Sequence, residues 1–139
     1  MPSLINCDQC GYVKNRFIGE NIRLIADIIQ LTSIKDMPGL LLIDFEKAFD
    51  TLEWSYINKV LDFFNFGTDF KKWISVIHND VSCCVMNNGY TSQFFGLGRG
   101  VRQGCPLAPF LFVLAVELLA ISVRKNSNIK GIDVGDDII

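Results

Sequence analysis

Two stretches of the chain carry residue types and spacings that packing alone explains poorly. The first is LLLIDFEKAFDTLEW, residues 40–54, in which an apolar run ends on Asp44. A carboxylate closing a hydrophobic strand is costly to bury unless it gains a cation, a set of donors or solvent at the sheet edge. Spacing alone leaves two readings open: a carboxylate directed at a metal or phosphate, or a structural aspartate that accepts hydrogen bonds from the following loop. Phe49 and Asp50 follow closely in a loop that feeds a helix, which favours the functional reading. The second stretch is RGVRQGCPLAP, Arg99 to Pro109. Glycines, prolines, arginines and a glutamine make a poor helix start but a good loop for backbone contact with a ligand. No carboxylate occurs between Val81 and Val116, whereas Arg99 and Arg102 both do. The helix that follows adds its positive N-terminal end to this cationic segment, a setting that suits phosphates. A solvated connection is the plain alternative for one such loop, and the aspartate upstream makes the pair stronger evidence.

The elements that must position these residues follow from periodicity. Phe17, Ile18, Ile22, Ile25, Ile28 and Ile29 recur at helical spacing between Asn15 and Ile34, predicting an amphipathic helix that Met37-Pro38-Gly39 breaks. Leu40 to Ile43 then reads as a short strand buried on both faces and ending at Asp44. Asp50-Thr51-Leu52-Glu53 has the pattern of a capping box, and Trp54, Ile57, Leu61 and Phe64 share one face of the helix behind it, which Gly67 is expected to end. A second helix starts at Thr68-Asp69 with Phe70, Trp73, Ile74 and Ile77 as its stripe. Ser82 to Met86 and Thr91 to Phe95 flank an Asn-Gly turn, a strong hairpin signal. Pro106 to Val123 is apolar enough to resemble a membrane span, but Glu117 interrupts it and two prolines open it, so it reads as a buried core helix. Ile129 to Val134 is expected to be a last short strand. This order predicts an α+β layer with helices packed on a largely antiparallel sheet.

Composition bounds these readings. The chain has 139 residues, one ordinary domain, with 50% hydrophobic and 20% charged residues, so neither a disordered tail nor a highly charged nucleic-acid arm fits. Lys+Arg 13 against Asp+Glu 15 gives a net charge of -2, which taken alone argues against a surface that grips phosphates everywhere. Sorted by position, the acids gather around residues 44–53 and towards the ends, leaving the glycine-rich loop free of them. Cys7 and Cys10 form a CxxC, which is half a zinc site, and the single histidine, His78, is far away in sequence, so the five cysteines read as small thiols. With no apolar leader after Met1, an intracellular, reducing compartment is expected.

LLIDFEKAFDTLEW closely resembles the first catalytic block of non-LTR (LINE-like) retrotransposon reverse transcriptases, FxKAFD followed shortly by Trp. RGVRQGCPLAPFLF is similar to their second palm block, RGVRQGCPLSPxLF, and QCGYVKNRFIGENI, residues 9–22, to their block QxGFxxGRxxxDNI. The three occur in family order and spacing over nearly the whole chain. The resemblance implies a partial reverse transcriptase domain. Residues 1–37 would form a segment connecting fingers and palm, and residues 38–139 an incomplete palm-like antiparallel sheet backed by helices. It also implies roles. Asp44 corresponds to the first metal-binding catalytic aspartate and the Phe45 carbonyl to its neighbouring ligand. Phe49 corresponds to the aromatic under the sugar of the incoming nucleotide, which excludes a 2'-hydroxyl. Gln103 and Gly104 correspond to the loop against nucleotide and template, with Arg99 and Arg102 as template or phosphate contacts. The implied reaction is RNA-directed DNA synthesis, a nucleotidyl transfer to a primer 3'-OH. It uses two Mg2+ ions, for which Mn2+ substitutes, to clamp attacking and leaving oxygens. The implied partners are an RNA template, a DNA primer or target, dNTPs and the remainder of the polypeptide, with fingers, thumb and a possible endonuclease domain; no membrane is expected.

This sequence departs from the family pattern in places. Asn15-Arg16 stands where Gly-Arg is usual, Glu20 where Asp is usual and Ala108 where Ser is usual. The family's aromatic-Ala-Asp-Asp block does not occur, and Asp136-Asp137, between Gly135 and Ile138, reads as a polar turn between strands rather than as its catalytic pair. The fragment alone is therefore expected to lack polymerase activity. Other readings are a group II intron maturase-like enzyme, an inert retroelement relic acting only as a binding module, and a metal-dependent phosphohydrolase. The last wants a second Asp two residues after Asp44, where Glu46 stands.

Overall fold

The computed structural model describes residues 3–35, 40–131, 133–134 and 137–138. Helix α1 spans Gly19–Lys35, α2 Ala48–Thr51, α3 Trp54–Phe63, α4 Thr68–His78 and α5 Ala108–Arg124. The strands are β1 Ser82–Cys83, β2 Met86–Asn87, β3 Tyr90–Thr91, β4 Phe95–Gly96, β5 Asp133–Val134 and β6 Asp137–Ile138.

The core is built where apolar residues return to one helical face. Ile57, Val60 and Leu61 of α3 are buried, and α3 packs against α4 and α5. From α4 only Ile74 is fully buried, while Trp73 of the expected stripe faces solvent. From α5 come Ala108, Leu111, Val113, Leu114 and Ala115, joined by Ile5, Val13, Leu52 and Val101 from the irregular segments. The end of α3 differs from expectation. Asn65, at φ 54, takes the left-handed position; its N–H donates to the Asp62 carbonyl (3.0 Å) and that of Phe66 to the Leu61 carbonyl (2.9 Å). This paired closure stops the helix before Gly67, which instead precedes α4.

Helix α5 is apolar on nearly every side, yet Phe110, Leu119 and Val123 are exposed, so it is buried along one side rather than all round. Among the described residues no helix is long and apolar enough to cross a membrane. Glu117 is only 3% exposed and is paired with Arg124 on the same helix, which removes the cost of an isolated buried charge. Tyr56 of α3 donates its hydroxyl to the Ala115 carbonyl (3.1 Å), and burial pushes its pKa up.

The chain is a mixture of helices and small antiparallel sheets. The hairpin forms as the Asn-Gly signal predicts, with Asn88 (φ 50) and Gly89 (φ 82) joining β2 to β3 and pairs Met86↔Thr91 and Asn87↔Tyr90. Beyond it β1 pairs with β4, while β5 pairs with β6 apart from both, so the described residues form three two-stranded ladders rather than one layer. Asp137 sits in β6 opposite Val134 rather than in a turn, and Asp136 lies outside the described residues.

Three local expectations are corrected. Residues 40–43 form no strand, and Leu41 (81%), Leu42 (70%) and Ile43 (67%) are exposed. An apolar run becomes a buried strand only if another strand pairs with it, and no described strand does. The capping box does not form either, because Asp50 lies inside the short α2 and Glu53 precedes α3 with no side-chain cap. Helix α1 starts at Gly19, so Phe17 and Ile18 lie before it, and no other described element packs on it.

Candidate functional site

The two chemistry-bearing stretches are joined by backbone. The Val101 N–H donates to the Phe49 carbonyl and the Gly100 N–H to the Leu52 carbonyl, both at 2.8 Å. The Trp54 indole donates to the Gly100 carbonyl at 2.7 Å. Gly100 has φ 92, and a Cβ there would lie 2.9 Å from the Asp50 carbonyl oxygen, so both its conformation and its clearance call for glycine. The glycine-rich loop is thereby strapped across the 49–54 segment, whose first residues belong to the turn of α2. Lys47, at φ 48, starts that turn, and its carbonyl accepts from the Asp50 (2.8 Å) and Thr51 (3.0 Å) amides.

The strapping brings Phe49, Gln103 and Gly104 around one open cavity of about 610 Å³, with Tyr12, Cys105, Pro106, Ala108 and Pro109 completing its wall. The N-terminal end of α5 opens onto it, as the loop composition led one to expect. The Gln103 amide reaches Asp50 Oδ1 at 3.5 Å, a long contact that leaves the amide free to turn towards a ligand. The Phe49 ring is half-buried between Tyr12, edge-on at 6.4 Å, and Phe112 at 5.2 Å. Tyr12 lies in the QCGYVKN stretch, at the aromatic position of the QxGFxxGR block, and that match is the signal that could have singled it out.

The remaining sequence-derived residues lie elsewhere. Arg99 borders a groove with Glu53, Trp54, Ser55 and Gly98. Arg102 borders a small enclosed apolar cavity of about 30 Å³ with His78, Val81 and Val101. Asp44 is exposed and is not among the residues lining the cavity that holds Gln103, while Phe45 lines a groove of about 380 Å³ between α2, α3 and α5 and meets Phe112 edge-on at 6.0 Å. Among the described residues no three His, Cys, Asp or Glu side chains gather as a metal site would need. Asp44 with the Phe45 carbonyl is therefore part of a cation site at most, and the described side chains do not complete it. Cys7 is exposed, its thiol directed to Asn6 Oδ1 (3.2 Å), whereas Cys10 is buried.

His78 stacks on Trp54, with centroids 5.3 Å apart and planes at 11°, and desolvation lowers its pKa from the usual 6.5. Through Trp54 this stack supports the Gly100 carbonyl, one step behind the loop that carries Gln103.

Comparison with known proteins agrees with the motifs. The protein-family model described as "Reverse transcriptase (RNA-dependent DNA polymerase)" matches residues 3–139. A "Transposon TX1 uncharacterized 149 kDa protein" of Xenopus laevis is 32% identical over 127 residues, covering 91% of this chain and 10% of its own length. A "Retrovirus-related Pol polyprotein from type-2 retrotransposable element R2DM" of Drosophila melanogaster is 28% identical over 142 residues, 99% of this chain and 13% of its own. A Pol polyprotein from the type-1 retrotransposable element R2 of Popillia japonica is 30% identical over 98 residues, 70% of this chain and 14% of its own. The chain thus spans about a tenth to a seventh of the length of these relatives.

Proposed function

This chain belongs to the reverse transcriptase (RNA-dependent DNA polymerase) family, and from that premise we propose that it is the nucleotide-holding middle of the polymerase of a non-LTR retrotransposon. Residues 38–139 are read as palm and residues 1–37 as the segment connecting it to the fingers. The observation that carries the reading is the convergence of Phe49, Gln103 and Gly104 on one cavity, from stretches far apart in sequence.

In this reading the deoxyribose of an incoming dNTP lies on the Phe49 ring, which rejects a 2'-hydroxyl by shape and offers it no partner. Gln103 and Gly104 hold the nucleotide from the loop side, the glutamine amide exchanging its long contact with Asp50 for the ligand. Arg99 and Arg102, on neighbouring surfaces, supply positive charge towards template or phosphate. Asp44 and the Phe45 carbonyl contribute to binding a divalent cation, Mg2+ or in its place Mn2+; such an ion, when bound, stabilises charge on the oxygens of phosphoryl transfer. RNA template, DNA primer or target, and further parts of the polypeptide such as fingers, thumb and an endonuclease are the partners of the whole enzyme, inside the cell.

The test is an NMR titration of the 139-residue chain. Titration with dATP is expected to shift the resonances of Phe49, Gln103 and Gly104 saturably, and more strongly than ATP at equal concentration. Added Mn2+ is expected to broaden signals around Asp44 to Phe49, and Asp44→Asn to remove that broadening. Shifts scattered over the surface, or equal responses to the two sugars, would overturn the nucleotide assignment. Broadening that survives Asp44→Asn would remove the cation assignment. Magnesium-dependent hydrolysis of a small phosphate ester by the same protein would point to phosphohydrolase chemistry instead.

A further inference from the structure

We infer that Tyr12 is a positioning residue that fixes the Phe49 ring in the cavity and through it sets the preference for a 2'-deoxy sugar; the second half rests on the nucleotide reading above. Phe49 stands between two rings of different origin. Phe112, at 5.2 Å and tilted by 42°, belongs to α5 and is carried by the core. Tyr12, at 6.4 Å and 83°, approaches edge-on from the irregular N-terminal segment. Without it the Phe49 ring keeps Phe112 and the core behind it but loses its wall on the Tyr12 side, which gives it room to move into the cavity of about 610 Å³ that both residues line. A side chain that discriminates a hydroxyl by shape must be held still, because a yielding ring rejects nothing.

The backbone argues the same way. Tyr12 has φ 57, a conformation uncommon and unfavourable for a bulky side chain, so the surroundings must impose it. They do. Cys10 and Val13 on either side are buried. The Gln9 side-chain amide donates to the Gly11 carbonyl (3.2 Å). The Arg16 guanidinium gathers the carbonyls of Ile5 (3.1 Å), Gln9 (2.8 Å) and Asn6. Yet Tyr12 itself is 63% exposed, so its own burial does not offset the strain. What this clamped loop achieves is to present one ring to Phe49. The Tyr12 hydroxyl has no hydrogen-bond partner among the described residues, so the ring rather than the hydroxyl carries the role.

The experiment compares the 139-residue chain with Tyr12→Phe, Tyr12→Leu and Tyr12→Ala, using Phe49→Ala as reference for the cavity. Two readings are taken: the NOEs between the ring protons of Phe49 and Phe112, and the ratio of dissociation constants for ATP and dATP. Tyr12→Phe is expected to keep both. Tyr12→Leu and Tyr12→Ala should weaken those NOEs and lower the ATP-to-dATP ratio by about two- to tenfold, the range of one edge-to-face ring pair. A role in folding alone would weaken both nucleotides alike and leave the ratio intact. Should Tyr12→Ala fail to fold, Tyr12→Leu decides. Unchanged Phe49–Phe112 NOEs in the folded ring-less variants overturn the inference, as does an unchanged ratio. If Phe49→Ala keeps the wild-type ratio, or the wild-type chain binds neither nucleotide, the nucleotide reading falls and the sugar-selecting role with it. The Phe49–Phe112 NOEs then still decide whether Tyr12 positions Phe49.

Discussion

His78 links a single protonation to the geometry of the loop. It lies against Trp54, whose indole holds the Gly100 carbonyl, and it shares a small apolar cavity with Arg102. Desolvation lowers its pKa below 6.5, so the unfolded chain takes up a proton at a higher pH than the folded chain does. The unfolded state therefore binds more protons in that interval, and stability rises with pH through it. The contribution is fully present above the unfolded pKa and is lost as pH falls through the folded one. Thermal melts followed from about pH 8 to about pH 5 should show this loss beginning near the ordinary histidine pKa. His78→Gln, which cannot charge, should flatten that part of the profile. A His78→Gln profile as steep as the wild type would assign the slope to other groups. Gly100 shows the same economy of contacts: its φ and its closeness to Asp50 make one residue answer to both functional stretches.

At the scale of elements, what was legible in the sequence is what short-range physics decides. The hairpin needed only Asn88 and Gly89, both able to take positive φ, and formed where that pair stands. Helix α3 needed only apolar residues at helical spacing, and Ile57, Val60 and Leu61 supply the buried face. Leu61 is 0% exposed within the core cluster, so Leu61→Ala should lower stability by about 2–5 kcal/mol in denaturant unfolding. Trp73→Ala on the exposed side of α4 should cost far less, and equal losses would contradict this placement of the core. What was not legible depended on partners. Leu40 to Ile43 has the composition of a buried strand, but composition cannot supply the strand beside it. The end of α3 passed to Asn65 because a complete paired closure was available two residues before Gly67. In the candidate site, Phe49, Gln103 and Gly104 could be read from two motifs; Tyr12 stands at the aromatic position of the third, but its contact with Phe49 exists only after the N-terminal segment has folded back.

Over the molecule many large apolar side chains among the described residues are exposed, and this has a consequence in solution. Leu41, Leu42 and Ile43 form one exposed apolar run with no ladder partner among the described residues, and Met86, Tyr90, Phe94 and Phe95 add further exposed side chains around the hairpin. Globular monomers seldom leave such contiguous surface uncovered, and an extended apolar segment with free backbone groups is a template for pairing with another chain. The net charge of -2 gives little repulsion to oppose it. The isolated chain should therefore associate with rising concentration, with an apparent mass in light scattering above that of one chain. Leu42→Lys puts a charge in the middle of the run and should shift the protein towards monomer without changing its melting temperature by more than a few degrees, as expected for an exposed site. Lys125→Glu, remote from the run in sequence, serves as a charge-changing control on an exposed residue. If Leu42→Lys leaves the association unchanged, the contact lies elsewhere, with the hairpin as the next surface to alter. If the unaltered chain stays monomeric at every concentration, the exposed run is stable in water and the argument from pairing fails.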